Sequence, residues 1–193
     1  MNAITQIITQ QLGGSAARAL AQRFGISETT ANTAVQIGVP LILAALARNA
    51  SQPQEAQNLH QAVANDHDGS ILDNIGGYLQ SPQTADGSAI LGHVFGTQRP
   101  AIENNLAQAA GMDQSSAAGL LETLAPLVMG SLGKAQHENA LDPSGLSDLL
   151  RNQQEEARTS SPDAMSMLSS MLDQNKDGSS MDDLQRMAAS FFK

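Results

Sequence analysis

The chain has 193 residues, a formal net charge of −9 and no cysteine. The lack of cysteine excludes disulfides, thiolate metal sites and cysteine nucleophiles. Only ten Lys and Arg residues are present and they are scattered, which argues against binding to nucleic acid or to an anionic membrane surface. Residues 1–14 lack the pattern of a secretory signal, and the longest apolar segment, residues 35–47, is shorter than a membrane span. We therefore expect a cytoplasmic protein.

Helix-forming residues dominate the sequence, and no run of alternating β-branched residues predicts a strand. The fold class expected from this pattern is all-α. In chain order, shorter helices are predicted at residues 52–64, 71–79, 88–96 and 100–110. The pair Asp142 and Pro143 is typical of a helix start, and that helix is predicted to run to about residue 158.

An internal repeat with an offset of 86 residues relates residues 20–48 to residues 106–134. In each copy a helix ends at a glycine, a polar residue follows as an N-cap, and a proline lies inside a second, apolar helix. These residues are Gly25, Ser27 and Pro40 in the first copy and Gly111, Asp113 and Pro126 in the second. Because an internal proline removes a backbone hydrogen bond, a kink or break is expected in each apolar helix. We predict that these two duplicated helix–turn–kinked-helix units form the centre of one globular domain, residues 1–158.

A tail, residues 163–193, follows a Ser- and Pro-containing hinge and is predicted to form a helix, an acidic loop and a helix. Its loop has the form D-x-N-x-D-G-S, which presents alternate oxygens as a calcium loop does. The oxygen ligands predicted for calcium are those of Asp173, Asn175, Asp177, Ser179, Asp182 and Asp183.

Two observations support an alternative to calcium binding for this loop, namely a turn that caps the following helix. The twelfth position, where calcium loops of this type have a bidentate glutamate, is Leu184. Ser179 and Asp182 also have the spacing of a helix capping box, which explains part of the loop without a metal. A related segment at residues 65–73 contains Asp68, Ser70 and Asp73, and there a capped turn is preferred over a metal site.

No recognisable catalytic motif occurs, so no catalytic residue is predicted. The third Asp-Gly-Ser segment, Asp86 to Ser88, is interpreted as a helix cap only. The four histidines lack the spacing of a zinc site. His67 is expected to be a solvent-exposed loop residue near its ordinary pKa, and His93 a partly buried helix residue.

Four segments together resemble the YidB-like family of bacterial helical proteins of unknown function. They are DGSILDNIGGYL (68–79), DGSAILGHVFG (86–96), AGMDQSSAAGLLETLAPLVMGSLGK (110–134) and LDQNKDGSSMDDL (172–184). The resemblance covers essentially the whole chain, and it implies an all-helical fold, a bacterial source and no established enzymatic activity. Related sequences often carry Asp where this tail loop has Asn175.

The function expected from the sequence is that of a non-enzymatic helical scaffold or interaction protein, with calcium bound at the tail loop. Its partner would be another protein or a second copy of the chain. Two alternatives stay open: a small-molecule-binding protein or enzyme with a pocket between the kinked helices, and a self-assembling structural protein.

Overall fold

The computed structural model describes residues 15–160, of which 87% are helical and none forms a strand. Their helices are α1 (Ser15–Phe24), α2 (Glu28–Asn49), α3 (Pro53–Asp66), a 3-10 helix (Ser70–Asn74), α4 (Ile75–Gln80), α5 (Thr84–Phe95), a second 3-10 helix (Gly96–Gln98), α6 (Arg99–Ala110), α7 (Gln114–Asn139) and α8 (Pro143–Ser160). The predicted all-α globular fold is confirmed. The predicted tail and its loop lie outside the described residues.

The two long helices α2 and α7 lie in the interior, and the other helices pack around them. Helix α7 contacts α1, α2, α3, α5 and α6, while α8 packs against α2 and α3. The two long helices meet at Gly38, where a Cβ would lie 3.2 Å from Leu124 and 3.3 Å from Leu121. Aliphatic side chains fill the core, as the scarcity of aromatic residues requires. Its largest fully buried members are Leu20, Leu41, Ile42, Leu43, Leu91, Ile102, Leu106, Leu120, Leu121 and Leu124.

The ends of the helices in the two predicted repeats have the same local geometry. Gly25 and Gly111 both follow a helix with positive φ, 64° and 71°. The Ser27 side chain accepts a hydrogen bond from the amide of the residue three positions later at 3.0 Å, and Asp113 does the same at 2.9 Å. The predicted caps of α2 and α7 are therefore present. The duplication itself stays a prediction.

Both internal prolines lie within continuous helices. The sequence predicts a kink or a break at Pro40 and Pro126. Both helices run through their proline without interruption, so there is no break, and the kink stays a prediction. Both prolines are buried, as are the residues on either side of them. Packing of these apolar turns against neighbouring helices compensates for the missing backbone hydrogen bond, so neither helix ends there.

Within the described residues, Glu28–Asn49 and Gln114–Asn139 are long and apolar enough to cross a membrane. In the folded protein, 72% of the apolar stretch of the first helix and 83% of that of the second are buried. Buried core helices of globular proteins meet the same criteria of length and composition.

A partly buried ion-pair network joins α5, α6 and α7. The Arg99 guanidinium donates hydrogen bonds to Glu103 at 2.6 Å, to Glu122 at 2.5 Å and to the Ser88 hydroxyl at 2.9 Å. Desolvation lowers the pKa of Arg99, but the bonds to both glutamates outweigh it and the pKa is raised. The network fixes how α5 and α6 lie on α7.

Candidate functional site

The connection between α3 and the first 3-10 helix packs directly on the last third of α7. We call residues 66–70 the DHDGS segment. A Cβ at Gly133 would overlap the carbonyl oxygen of His67, and a Cβ at Gly69 would lie 2.9 Å from the Cβ of Lys134. Gly69 also has φ +96°, a conformation that glycine adopts most readily. Close backbone packing therefore holds this segment in place.

The DHDGS segment forms a tight turn that leaves its acidic side chains at the surface. The Asp68 carboxylate accepts a hydrogen bond from the Ser70 amide at 2.9 Å, and Asp66 and Asp68 are both exposed. Hydrogen bonds from Ser70 hold the pKa of Asp68 below its usual value. The predicted capping box of Ser70 and Asp73 is absent, since Gly69 is the N-cap residue and no side chain caps this 3-10 helix. The Asp68 carboxylate instead accepts the hydrogen bond of the first amide of this helix, that of Ser70.

A first cleft of about 300 Å³ lies between the DHDGS segment and helices α4, α5 and α7. Three of its ten lining residues are acidic. It is lined by Asp66, His67, Asp68, Gly69, Ser70, Ile71, Tyr78, Gln83, Asp86 and Pro126. Pro126 thus lines a cleft, but the other wall of the cleft is the DHDGS segment and not the other long helix.

Burial changes the titration of two side chains in the first cleft. Desolvation lowers the pKa of His67, although Asp66 and Asp86 act in the opposite direction. The prediction of an exposed histidine near its ordinary pKa is therefore wrong, because the segment lies against α7 and His67 is half-buried there. Desolvation, together with the charge of Asp86, raises the pKa of Tyr78 to about 12. The Tyr78 hydroxyl donates to the Thr123 carbonyl at 3.1 Å, so it anchors α4 to α7.

A second cleft, of about 470 Å³, shares Asp68 with the first as a lining residue. The end of α3, the end of α7 and the turn before α8 form its walls. It is lined by Val63, Ala64, Asp68, Gly133, Gln136, His137, Ala140 and Leu141. Gln136 is 9% exposed, and its Oε1 atom is buried without a hydrogen-bond partner. No spacing in the sequence marks this glutamine.

The other Asp-Gly-Ser segment does not cap a helix as the sequence predicts. Asp86, Gly87 and Ser88 lie inside the first turns of α5, whose N-cap is Gln83. A Cβ at Gly87 would overlap the carbonyl of Glu122, so this glycine lets α5 cross α7 closely. The cap prediction failed because helix α5 starts earlier than the apolar pattern indicates.

The remaining predicted residues are placed as follows. The calcium ligands predicted in the tail lie outside the described residues, so the calcium site stays a prediction. In the part of the chain that the structure describes, no three His, Asp or Glu side chains form a group suited to a metal ion. His93 is exposed on α5, where partial burial was predicted. His60 contacts the Leu141 carbonyl through Nε2 at 2.9 Å, which ties α3 to the turn before α8.

Comparison with known proteins gives a family but no activity. Residues 6–135 match the sequence profile of DUF937, described as a bacterial protein of unknown function. The chain belongs to this family. YidB is a member of it, so the predicted resemblance to YidB-like proteins is confirmed. No curated protein and no solved structure matches the chain. The family match includes the DHDGS segment and α7 as far as residue 135, and it ends before α8.

Proposed function

We propose that this member of the DUF937 family is a non-enzymatic helical scaffold that binds a protein partner through the surface around the DHDGS segment. The observation that carries this proposal is the close backbone contact between His67 and Gly133. A segment held in this way is already in one conformation before a partner arrives, so little conformational entropy is lost on binding.

The charge of this surface indicates the kind of partner. Asp66, Asp68, Asp73 and Asp86 are all exposed on or beside the DHDGS segment. Carboxylates grouped on one surface attract a basic patch and speed its association, particularly at low salt. We therefore expect a partner with clustered Lys and Arg residues.

The test compares two charge-matched variants of the full chain in quantitative capture and cross-linking from a bacterial lysate. Asp66→Asn/Asp68→Asn/Asp73→Asn removes three charges from the proposed surface. The control, Glu28→Gln/Glu55→Gln/Asp148→Asn, removes three exposed charges elsewhere. We expect the wild type and the control to capture a basic protein. The captured amount should be about tenfold or more lower with the surface variant, because complementary charge is lost. Equal capture by both variants would exclude this surface.

The same preparation tests the competing functions. Light scattering over a concentration series detects self-association, and a mass that rises with concentration would make a second copy of the chain the partner. Chemical conversion of a co-purifying small molecule would contradict a non-enzymatic role and support the pocket-based alternative.

A second candidate property rests on the alternate oxygens of the tail loop. We propose that Asp173, Asn175, Asp177, Ser179, Asp182 and Asp183 bind calcium. Calorimetric titration of the full chain should give saturable heat that Asp173→Ala/Asp177→Ala abolishes and that Asp73→Ala leaves unchanged. The absence of heat at millimolar calcium would reduce the loop to a capped turn.

A further inference from the structure

The second cleft combines an apolar wall with two oxygen acceptors. Ala64 is exposed and Leu141 half-buried, and both line the cleft with apolar surface. The acceptors are the exposed carboxylate of Asp68 and the side-chain amide of Gln136. The one titratable nitrogen among the lining residues is that of His137.

Gln136 has an unmet hydrogen-bonding capacity. Its Oε1 is buried and has no partner, although nearly all buried polar side-chain atoms in folded proteins have one. Such an oxygen destabilises the fold unless a donor reaches it, and an apolar side chain of similar shape avoids that cost. The terminal amide torsion of glutamine is broad, so a small rotation turns Oε1 toward a donor in the cleft.

We infer that the second cleft binds the ammonium group of a small aliphatic amine, with Gln136 and Asp68 accepting its hydrogen bonds and Ala64 and Leu141 contacting its alkyl chain. An ammonium group has three donors and no acceptor, so it can donate to both oxygens at once. The negative charge of Asp68 favours a cation over a neutral alcohol and opposes a carboxylate. This ligand site goes beyond the proposed function, since it requires no protein partner.

The experiment is titration of the full chain, followed by ¹H–¹⁵N NMR, with hexylammonium, 1-hexanol and hexanoate. The three probes have the same alkyl chain and differ in the head group. Saturable shifts at Gly133, Gln136 and Leu141 are expected for hexylammonium, in the millimolar range that suits so small a ligand. A fourth probe, Nα-acetyl-lysine methylamide, distinguishes a lysine side chain from a free amine as the natural source of the group.

Two variants test the named acceptors. Gln136→Leu should weaken hexylammonium binding about tenfold, as loss of a hydrogen bond to a charged group predicts, while leaving thermal stability unchanged or raised. Asp68→Asn, at an exposed position, should weaken it by a similar factor of about ten without affecting folding. The matched control is Gln61→Leu, an exposed glutamine on α3 that does not line the cleft.

Three results would overturn the inference. They are the absence of saturable shifts with hexylammonium, equal or tighter binding of 1-hexanol or hexanoate, and unchanged hexylammonium binding by both Gln136→Leu and Asp68→Asn. If Gln136→Leu does not fold, Asp68→Asn and the comparison of head groups decide the outcome by themselves.

Discussion

Single glycines set the distance between α7 and the chain segments that cross it. Gly133 faces the His67 carbonyl, and Gly87 faces the Glu122 carbonyl, with no space for a Cβ at either position. Backbone atoms on both sides of such a contact cannot move aside as a flexible side chain does, so any larger residue must displace a whole segment. At the residue scale, these contacts place the DHDGS segment and both clefts.

Gly133→Ala should therefore destabilise the protein by about 1–3 kcal/mol, the usual cost of overpacking. The control is Gly92→Ala on α5, where a Cβ would have no neighbour within 4 Å. Because alanine favours the helix interior, the control should be stabilised by about 0.5–1 kcal/mol. Urea unfolding followed by circular dichroism measures both. A Gly133→Ala variant as stable as the wild type would show that the His67 contact is looser than the structure indicates.

At the scale of a helix, Asp113 determines where α7 begins. Its carboxylate accepts hydrogen bonds from the hydroxyls of Ser115 and Ser116 and from the Ser116 amide. These bonds hold the pKa of Asp113 well below its usual range. Its ionised form is favoured in the folded state, and the negative charge also lies at the positive end of the helix dipole.

The stabilisation from ionised Asp113 should be fully present above the ordinary pKa of aspartate. It should be lost as the pH falls toward the lower pKa that Asp113 has in the folded state. Asn caps helices about as well as Asp but does not titrate. The free-energy difference between wild type and Asp113→Asn should therefore be largest near about pH 6 and should shrink toward about pH 2. Urea unfolding across this range measures it, with Asp73→Asn as the control for general acid effects. A difference that does not change with pH would contradict the argument.

At the scale of the whole molecule, α8 completes the core although the family match ends before it. Leu146, Leu150 and Ala157 are buried on this helix, which packs on α2 and α3. The Ser147 hydroxyl adds a hydrogen bond to the Ala50 carbonyl at 3.1 Å. These contacts join α8 to the other described helices. The domain boundary near residue 158 stays a prediction.

Leu150→Ala should lower the free energy of unfolding of the whole body by about 2–5 kcal/mol, since it leaves a cavity at a position with 0% exposure. Unfolding followed by circular dichroism should keep a single transition. Arg151→Ala, next in sequence, removes an exposed ion pair with Asp148 and should change stability by less than about 0.5 kcal/mol. A separate early transition in Leu150→Ala alone would show that α8 is an independent unit.

Patterns that act over a few residues predicted much of the local structure, although not at Ser70 or at Asp86 to Ser88, where the expected caps are absent. Helix propensity and the lack of alternating strands predicted the all-α class, and the caps at Ser27 and Asp113 follow from residues within one turn of each helix. Asp142 likewise caps α8 by accepting a hydrogen bond from the Gly145 amide at 2.7 Å. Each of these features depends on atoms that are close in sequence, so the sequence alone determines it.

The tertiary structure decided everything that depends on contacts between distant parts of the chain. The helices run on through Pro40 and Pro126 because surrounding helices bury them. His67 is half-buried with a lowered pKa, and Gln136 lines a cleft, because both lie where the DHDGS segment meets α7. Those contacts join residues more than sixty positions apart, and their energies come from burial and close packing, which no local pattern encodes.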